Sequence, residues 1–568
     1  MSSDGDQLVV ANSLNDNLAD ASNVPFNAKN WTFITDSTSN SGSFSSGQIQ
    51  FDLATLNSQS QWINLKEAMI EFPVKITTQI ITAGTGSETT KSIAQVNTAI
   101  IKNGWHQWID ACQVIINGQT IQSSQPYENV AGQFRIISKW SQDELVKYGA
   151  TCGFALDDMT ASGDATTTIS STSGIGNAAY ATVAAAVKGL DVINNQSVLF
   201  NKGITSRASF TNNEIGLTTS TQATILGASA MKSSGRNNSA CTAAGSNTAT
   251  TYVQSAYYLA TCRLRDLCDI DQFPVVKNLK GFIYLSFNSA AVQLTGTAGS
   301  AVMSAVSYTT LTGRTTPFMI NNSSTGILLG NYATTAPVVE IRGSVDATTT
   351  GQISSSGPLT TNARLLVPYY IANPTTDSAL SMPNKFFTTL EKIINPITVA
   401  AATSINYTIT TGVSNPRRLV LLPMWSNLGG VTNLTNPEIS AFDSVPATSG
   451  PYAVLNNFQV YMGNKPLYQY PIQYDFEQWA SEQAQLGVGG SELDGQTSGL
   501  LSQHIFNQNH RFYTVDLSRR LDSEDGGSKS IQVSFANPSA TFALKVIAIV
   551  FYEKRWTIST NTCQLSSV

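Results

Sequence analysis

The side chains best suited to chemistry are few in this 568-residue chain, and their spacing is poor. The only histidines are His106, His504 and His510. A zinc hydrolase needs paired histidines one helical turn apart with a glutamate between them. His504 and His510 are six apart in a polar stretch, so the spacing predicts ordinary surface or loop histidines. Carboxylates are the next candidates, because clustered oxygens can hold a hard cation. Asp266, Asp269 and Asp271 form one such group, and Asp522, Glu524 and Asp525 stand at a related point near the C-terminus. Neither follows the ligand spacing of a calcium loop, so solvated turn residues are the favoured reading. Gly487-Val-Gly-Gly490 lacks the Lys-Ser/Thr that completes a phosphate loop, and reads as a flexible connection. No nucleophile-elbow motif and no Cys/His signature stands out. No catalytic, cofactor-binding or metal-binding residue is assigned, no cofactor is implied, and the chain reads as a non-enzyme.

Composition narrows the class. Hydrophobic residues make up 42% and charged residues only 12%, about half the roughly 25% of ordinary soluble domains. Ser, Thr, Asn, Gln, Ala and Gly fill the difference, which suits β-structure with long polar loops. The net charge is −5, and Asp4, Asp6, Asp16 and Asp20 precede the first basic residue, Lys29. Nucleic-acid binding needs clustered Lys and Arg, so no direct electrostatic contact with a genome is expected. No early segment has the basic-then-apolar layout of a secretory leader, and no apolar run is long enough to predict a membrane span. The six cysteines, Cys112, Cys152, Cys241, Cys262, Cys268 and Cys563, are scattered and read as free buried thiols.

Period-two alternation dominates the chain, as in Ile49, Phe51 and Leu53, then Ala68, Ile70, Phe72, Val74 and Ile76, and later Ile531, Val533 and Phe535. Helical signals are short; Ser141-Gln-Asp-Glu144 has the form of a capping box. The informative pattern is an internal repeat. Segments 48–53, 68–74, 113–119, 259–267, 282–288 and 363–369 find counterparts, in the same order, at 404–409, 418–424, 459–465, 512–521, 530–535 and 543–549. Asn117-Gly118 and Gly463-Asn464 mark a tight hairpin in each copy, and an aromatic-bearing segment follows each, with Phe134 and Trp140 in one and Phe476 and Trp479 in the other. From Gln113 to Leu264 is 151 positions, whereas Gln459 to the matching Leu517 is 58, so the first copy carries about 93 extra residues.

Leu264-Arg-Asp-Leu-Cys-Asp-Ile-Asp-Gln-Phe273, Lys280-Gly-Phe-Ile-Tyr-Leu-Ser-Phe-Asn288, Ala363-Arg-Leu-Leu-Val-Pro-Tyr369 and Asn415-Pro-Arg-Arg-Leu-Val-Leu-Leu-Pro423 carry a family likeness. They resemble the double jelly-roll major capsid proteins, those of virophages and polinton-like viruses above all. The likeness covers the strand framework of both halves and not the insertions. It implies a mainly β chain of two tandem eight-stranded jelly-roll sandwiches with long loop insertions. It further implies a homotrimer forming a pseudo-hexameric capsomer, packed against neighbouring capsomers and against penton and minor capsid proteins in an icosahedral DNA-virus shell. Synthesis would be inside the host cell and the final location the virion.

The resulting domain map has an N-terminal arm at 1–28, a first roll at 29–371 with insertions near 151–254 and 288–362, and a second roll at 372–568. Val10, Leu14 and Leu18 would line one face of a short helix in the arm, suited to linking capsomers along the inner face of the shell, although a frayed terminus is nearly as good a reading. Two other classes fit the composition: a viral adhesin or fibre, and a secreted β-sandwich carbohydrate-binding protein. A fibre would show shorter repeats and a shaft, and a secreted protein would need a leader.

Overall fold

The structure, a computed structural model, describes residues 25–37, 44, 48–56, 61–82, 99–157, 203, 207, 237–240, 252–296, 303–310, 314–320, 338–348, 362–381, 385–426, 453–486, 500–508, 510–518 and 527–567. Residues 1–24 of the arm, most of 158–251, the glycines at 487–490 and the acidic group at 522–525 lie outside the described residues.

The first half contains strands β1 (Phe26–Thr35), β2 (Gln48–Asp52), β3 (Trp62–Ile63), β4 (Met69–Thr82), β5 (Ala99–Ile101), β6 (Ile109–Ile116) and β7 (Gln119–Gln122). These are followed by β8 (Asn237–Ala240), β9 (Tyr252–Arg263), β10 (Gly281–Phe287), β11 (Ala290–Gly296), β12 (Met303–Thr310), β13 (Phe318–Ile320), β14 (Val338–Val345) and β15 (Arg364–Ala372). The second half contains β16 (Lys385–Val399), β17 (Ser404–Val413), β18 (Pro416–Ser426), β19 (Asn456–Met462), β20 (Lys465–Pro466), β21 (Tyr513–Asp516), β22 (Lys529–Ala536), β23 (Ala543–Ser559) and β24 (Gln564–Ser567).

Their pairing gives the same architecture twice. In the first half one sheet runs β1-β15-β4-β9 and the facing sheet runs β2-β10-β6-β7. In the second half the corresponding orders are β16-β23-β18-β21 and β17-β22-β19-β20. Counting the eight framework strands of each half from one to eight, both read 1-8-3-6 and 2-7-4-5, and every ladder is antiparallel. That order is the jelly roll. The fold class expected of the sequence, two tandem jelly rolls, is the one observed, and all six repeated segments fall on corresponding strands.

Local chemistry explains the match. Asn117 and Gly118 both have positive φ, as do Gly463 and Asn464, which makes the hairpins β6–β7 and β19–β20 the left-handed two-residue turns that only such residues adopt without strain. At the start of β10, a Cβ on Gly281 would lie 2.1 Å from the Ile115 carbonyl oxygen, so a side chain there would push apart two central strands. The alternating residues Ile49, Phe51, Ile70, Phe72, Val74 and Ile76 point into the first core, and Ile531, Val533 and Phe535 into the second. Burying one face and wetting the other fixes strand register, since a one-residue slip would reverse every side chain.

Two features depart from the sequence reading. The stretch expected as a loop insertion at 288–362 carries strands: β14 takes over the edge of β4 beyond β15, pairing Val345 through Val338 with Val74 through Thr82, and β11 and β12 extend the sheet outward from it. Strands β11 and β12 are short and carry many small residues, which weakens their alternation, whereas Val339, Ile341 and Val345 of β14 do alternate. In addition, the segment after the first hairpin forms two consecutive helices, α1 (Glu128–Lys139) and α2 (Gln142–Cys152). Ser141 caps α2 in the predicted box, its hydroxyl accepting from the Glu144 amide at 3.2 Å while Glu144 accepts from the Ser141 amide at 3.1 Å. The second half places α3 (Phe476–Leu486) and α4 (Gln503–Gln508) at the equivalent point.

Phe287 packs 5.0 Å from Phe72 between ring centroids and is 2% exposed, while Phe535 is 1% exposed in the other core. Phe287→Ala or Phe535→Ala should each cost about 3–5 kcal/mol in denaturant titration. Wild-type midpoints for both variants would show that these strands do not carry the cores.

Candidate assembly site

The hydrophobic clusters do not stop at the boundary between the rolls. Helix α1 belongs by sequence to the first roll, yet Val130, Ala131, Phe134, Ile136 and Ile137 pack into the core of the second. The Phe134 ring meets Phe512 edge-on at 5.0 Å and Phe551 at 6.2 Å. In return Phe387, Trp556, Ile558 and Leu565 of the second roll join the first core, with Phe387 edge-on to Phe273 at 5.4 Å. Each roll thus completes the other.

Around this exchange lies a belt of polar contacts. Lys392 on β16 pairs with Glu128 at the start of α1, and both are buried. The Lys392 ammonium also donates to the Leu267 carbonyl at 3.1 Å, and Gln122 donates to Glu128 at 3.2 Å. Burial raises the Glu128 carboxyl's pKa and lowers that of the Lys392 ammonium, each opposed by the other's charge. Beside them Glu391 accepts from the Ser123 hydroxyl at 2.6 Å and the Tyr552 hydroxyl at 2.7 Å, and pairs with Lys554.

The acidic turn that sequence treats as solvated is part of this belt, which corrects that reading. Asp266 is buried, accepting from the Arg263 guanidinium at 3.0 Å and the Trp140 indole at 3.0 Å. Asp269 accepts from the Leu390 amide of the second roll at 2.6 Å. Asp271 pairs with Lys139 at 2.7 Å. Burial alone would raise the Asp271 pKa, but Lys139 and Arg265 outweigh it and hold the carboxyl at about 2. These carboxylates are spent on cations and amides of their own chain. Among the described residues no three His, Cys, Asp or Glu side chains come together as a metal site.

The histidine reading needs the same correction. His504 is exposed on α4, but His106 and His510 are fully buried, and burial pulls the pKa of each down to about 4. The flanking Trp105 and Trp108, and the nearby Phe512, were the available signals. His106 bonds Gln133 of α1 at 2.9 Å, and Gly104 lies against its ring: a Cβ there would sit 2.5 Å away. The cysteines agree with expectation: Cys112, Cys152, Cys262, Cys268 and Cys563 are free and buried, and Cys241 lies outside the described residues.

The outer surface offers a different kind of site. Strands β1 and β16, the first of each roll, occupy sheet edges. Trp31 and Phe33 stand outward on β1 at 47% and 57% exposure, and Phe386 on β16 at 72%. Edge strands bearing exposed aromatics are association surfaces unless covered.

No protein-family model matches the chain, and no curated protein sequence matches it. Among solved structures the chain is similar to the Sputnik virophage structure determined by cryo-EM, at 12% identity and a TM-score of 0.46, covering 96% of this chain and 89% of that one. It is likewise similar to the mavirus major capsid protein, at 11% identity and a TM-score of 0.46, covering 97% and 92%. A third similar structure is the Faustovirus major capsid protein, at 9% identity and a TM-score of 0.41, covering 95% and 92%.

Removing one member of a buried ion pair strands the other charge. Lys392→Met should therefore destabilise the protein by about 3–5 kcal/mol, and adding Glu128→Gln should recover part of that loss. Thermal and denaturant unfolding of the single and double variants measures both; a simple sum of two losses would show that the pair is not coupled.

Proposed function

We propose that this protein is the major capsid protein of an icosahedral DNA virus, a structural subunit that trimerises into pseudo-hexameric capsomers. The observation that carries the reading is the recurrence of one strand order, 1-8-3-6 facing 2-7-4-5, in both halves of a single chain. Three copies of a two-roll chain present six similar units around a threefold axis, which approximates hexagonal packing with closed symmetry. The interlocked cores suit such a tile, because a subunit under lateral load must not hinge between its rolls. The exposed aromatics of β1 and β16 supply apolar contact for a second copy. The paucity of charge, 12% of residues, suits a molecule pressed against neighbours on several sides.

In this reading the insertions after β7 and after β10 form the outward crown, and residues 1–28 form an inner arm that links capsomers. Neighbouring capsomers, penton proteins and minor capsid proteins are its partners in the virion. Its work is assembly and not catalysis.

Sedimentation velocity of the purified chain should give a stable species of three times the 60.7 kDa chain mass, and negative-stain images should show compact hexagonal particles. A monomer at every concentration and ionic strength, or an elongated fibre, would overturn the proposal.

A further inference from the structure

The junction between the rolls holds two cations whose hydrogen bonds are unfinished. Arg135 projects from α1 of the first roll and Arg418 from β18 of the second, and they are 4% and 3% exposed. The Arg418 guanidinium lies over the Phe134 and Phe551 rings, 5.3 and 4.7 Å from their centroids. Aromatic faces satisfy its charge in part but accept none of its in-plane N–H groups. Its Nε and Nη1 atoms, and Nη1 of Arg135, are buried with no acceptor among the described residues.

Glu128 and Asp271 act on Arg135, and Asp269 on Arg418, through their charge, but none accepts from the idle N–H groups. Glu128 is bound to Lys392 and Gln122, Asp271 to Lys139, and Asp269 accepts from the Leu390 amide with Lys139 at 3.8 Å. Ser138, one turn along α1 from Arg135, also has a buried hydroxyl without a partner. Burial and then repulsion from Arg135 lower the Arg418 pKa to about 10, with Asp269 opposing, so the guanidinium stays charged at neutral pH. Two like charges and several idle donors in a water-poor site form an arrangement that a bound anion would complete.

We propose that a small inorganic anion, chloride or phosphate, binds between Arg135 and Arg418 at the junction and ties the two rolls together. Because one arginine comes from each roll, the anion binds only when the rolls are docked. It therefore stabilises the docked chain by mass action. This inference stands on the junction geometry and is independent of the capsid reading.

The test uses the full chain dialysed into sodium gluconate, with chloride or phosphate exchanged in at constant ionic strength. The thermal midpoint should rise and saturate with one of these anions, in contrast to the unsaturable drift of a general salt effect. A response to chloride alone, or to phosphate alone, identifies the ligand. Arg418→Met and Arg135→Gln should each abolish the saturable rise while leaving any linear drift. Should either variant fail to fold, wild-type crystals grown in bromide decide: anomalous density within hydrogen-bonding distance of both guanidinium groups is expected. No saturable response in the wild-type protein, a response that survives both substitutions, or water alone between the guanidinium groups would overturn the proposal.

Discussion

The insertion of Phe134 into the second core is the contact on which the rest of the molecule depends. A jelly roll alone closes its own sheets, so two of them in tandem would ordinarily be beads joined by a linker. Here the helix that follows the fifth framework strand of the first roll fills the open side of the second, with Phe134 against Phe512 and Phe551. Phe387 and Trp556 do the converse in the first core. Burying an aromatic ring removes roughly 150–250 Å² from water, and this exchange does so in both directions at once. The rolls are held by the same force that folds each of them.

The polar belt follows from that choice. Packing a helix that carries Glu128, Gln133, Arg135 and Ser138 against strand surfaces brings groups into the interior that water would otherwise satisfy. Each must find a partner or cost stability. Lys392 meets Glu128, Ser123 and Tyr552 meet Glu391, and the Leu390 amide meets Asp269. These contacts add little net stability beyond a well-packed apolar junction, but each leaves a buried polar group without its partner if the docking changes.

How much of this was legible in sequence depended on whether the determinant was local. Strands such as 531–535 declare themselves because period-two alternation is a local pattern, and the two hairpins do so because Asn and Gly at their tips are the residues those turns demand. The order of six such segments then exposes the duplication and, with it, the fold. The junction stayed hidden because its partners are distant: Asp269 and Leu390 are 121 residues apart, and Lys392 and Glu128 are 264 apart. An aspartate bound for a buried pair looks the same in sequence as one in a wet turn. His510 reads as a loop residue because Asn507, Gln508, Asn509 and Arg511 conceal its apolar neighbours in space, whereas Trp105 and Trp108 beside His106 are a legible sign of burial. The strands of the second insertion are hard to read because Ala290–Gly296 carries only Val292 and Leu294 as large apolar residues.

The central claim is that the two rolls are one cooperative unit through α1. Native-state hydrogen exchange on the full chain reads this directly, because an amide exchanges through the smallest opening that frees it. The account predicts that the amides of Val130 through Ile137 open with the same free energy as those of β18 and β23, in a single global transition. Exchange of α1 through a smaller opening, with the second roll's strands still protected, would show that the rolls are separate domains and contradict the account.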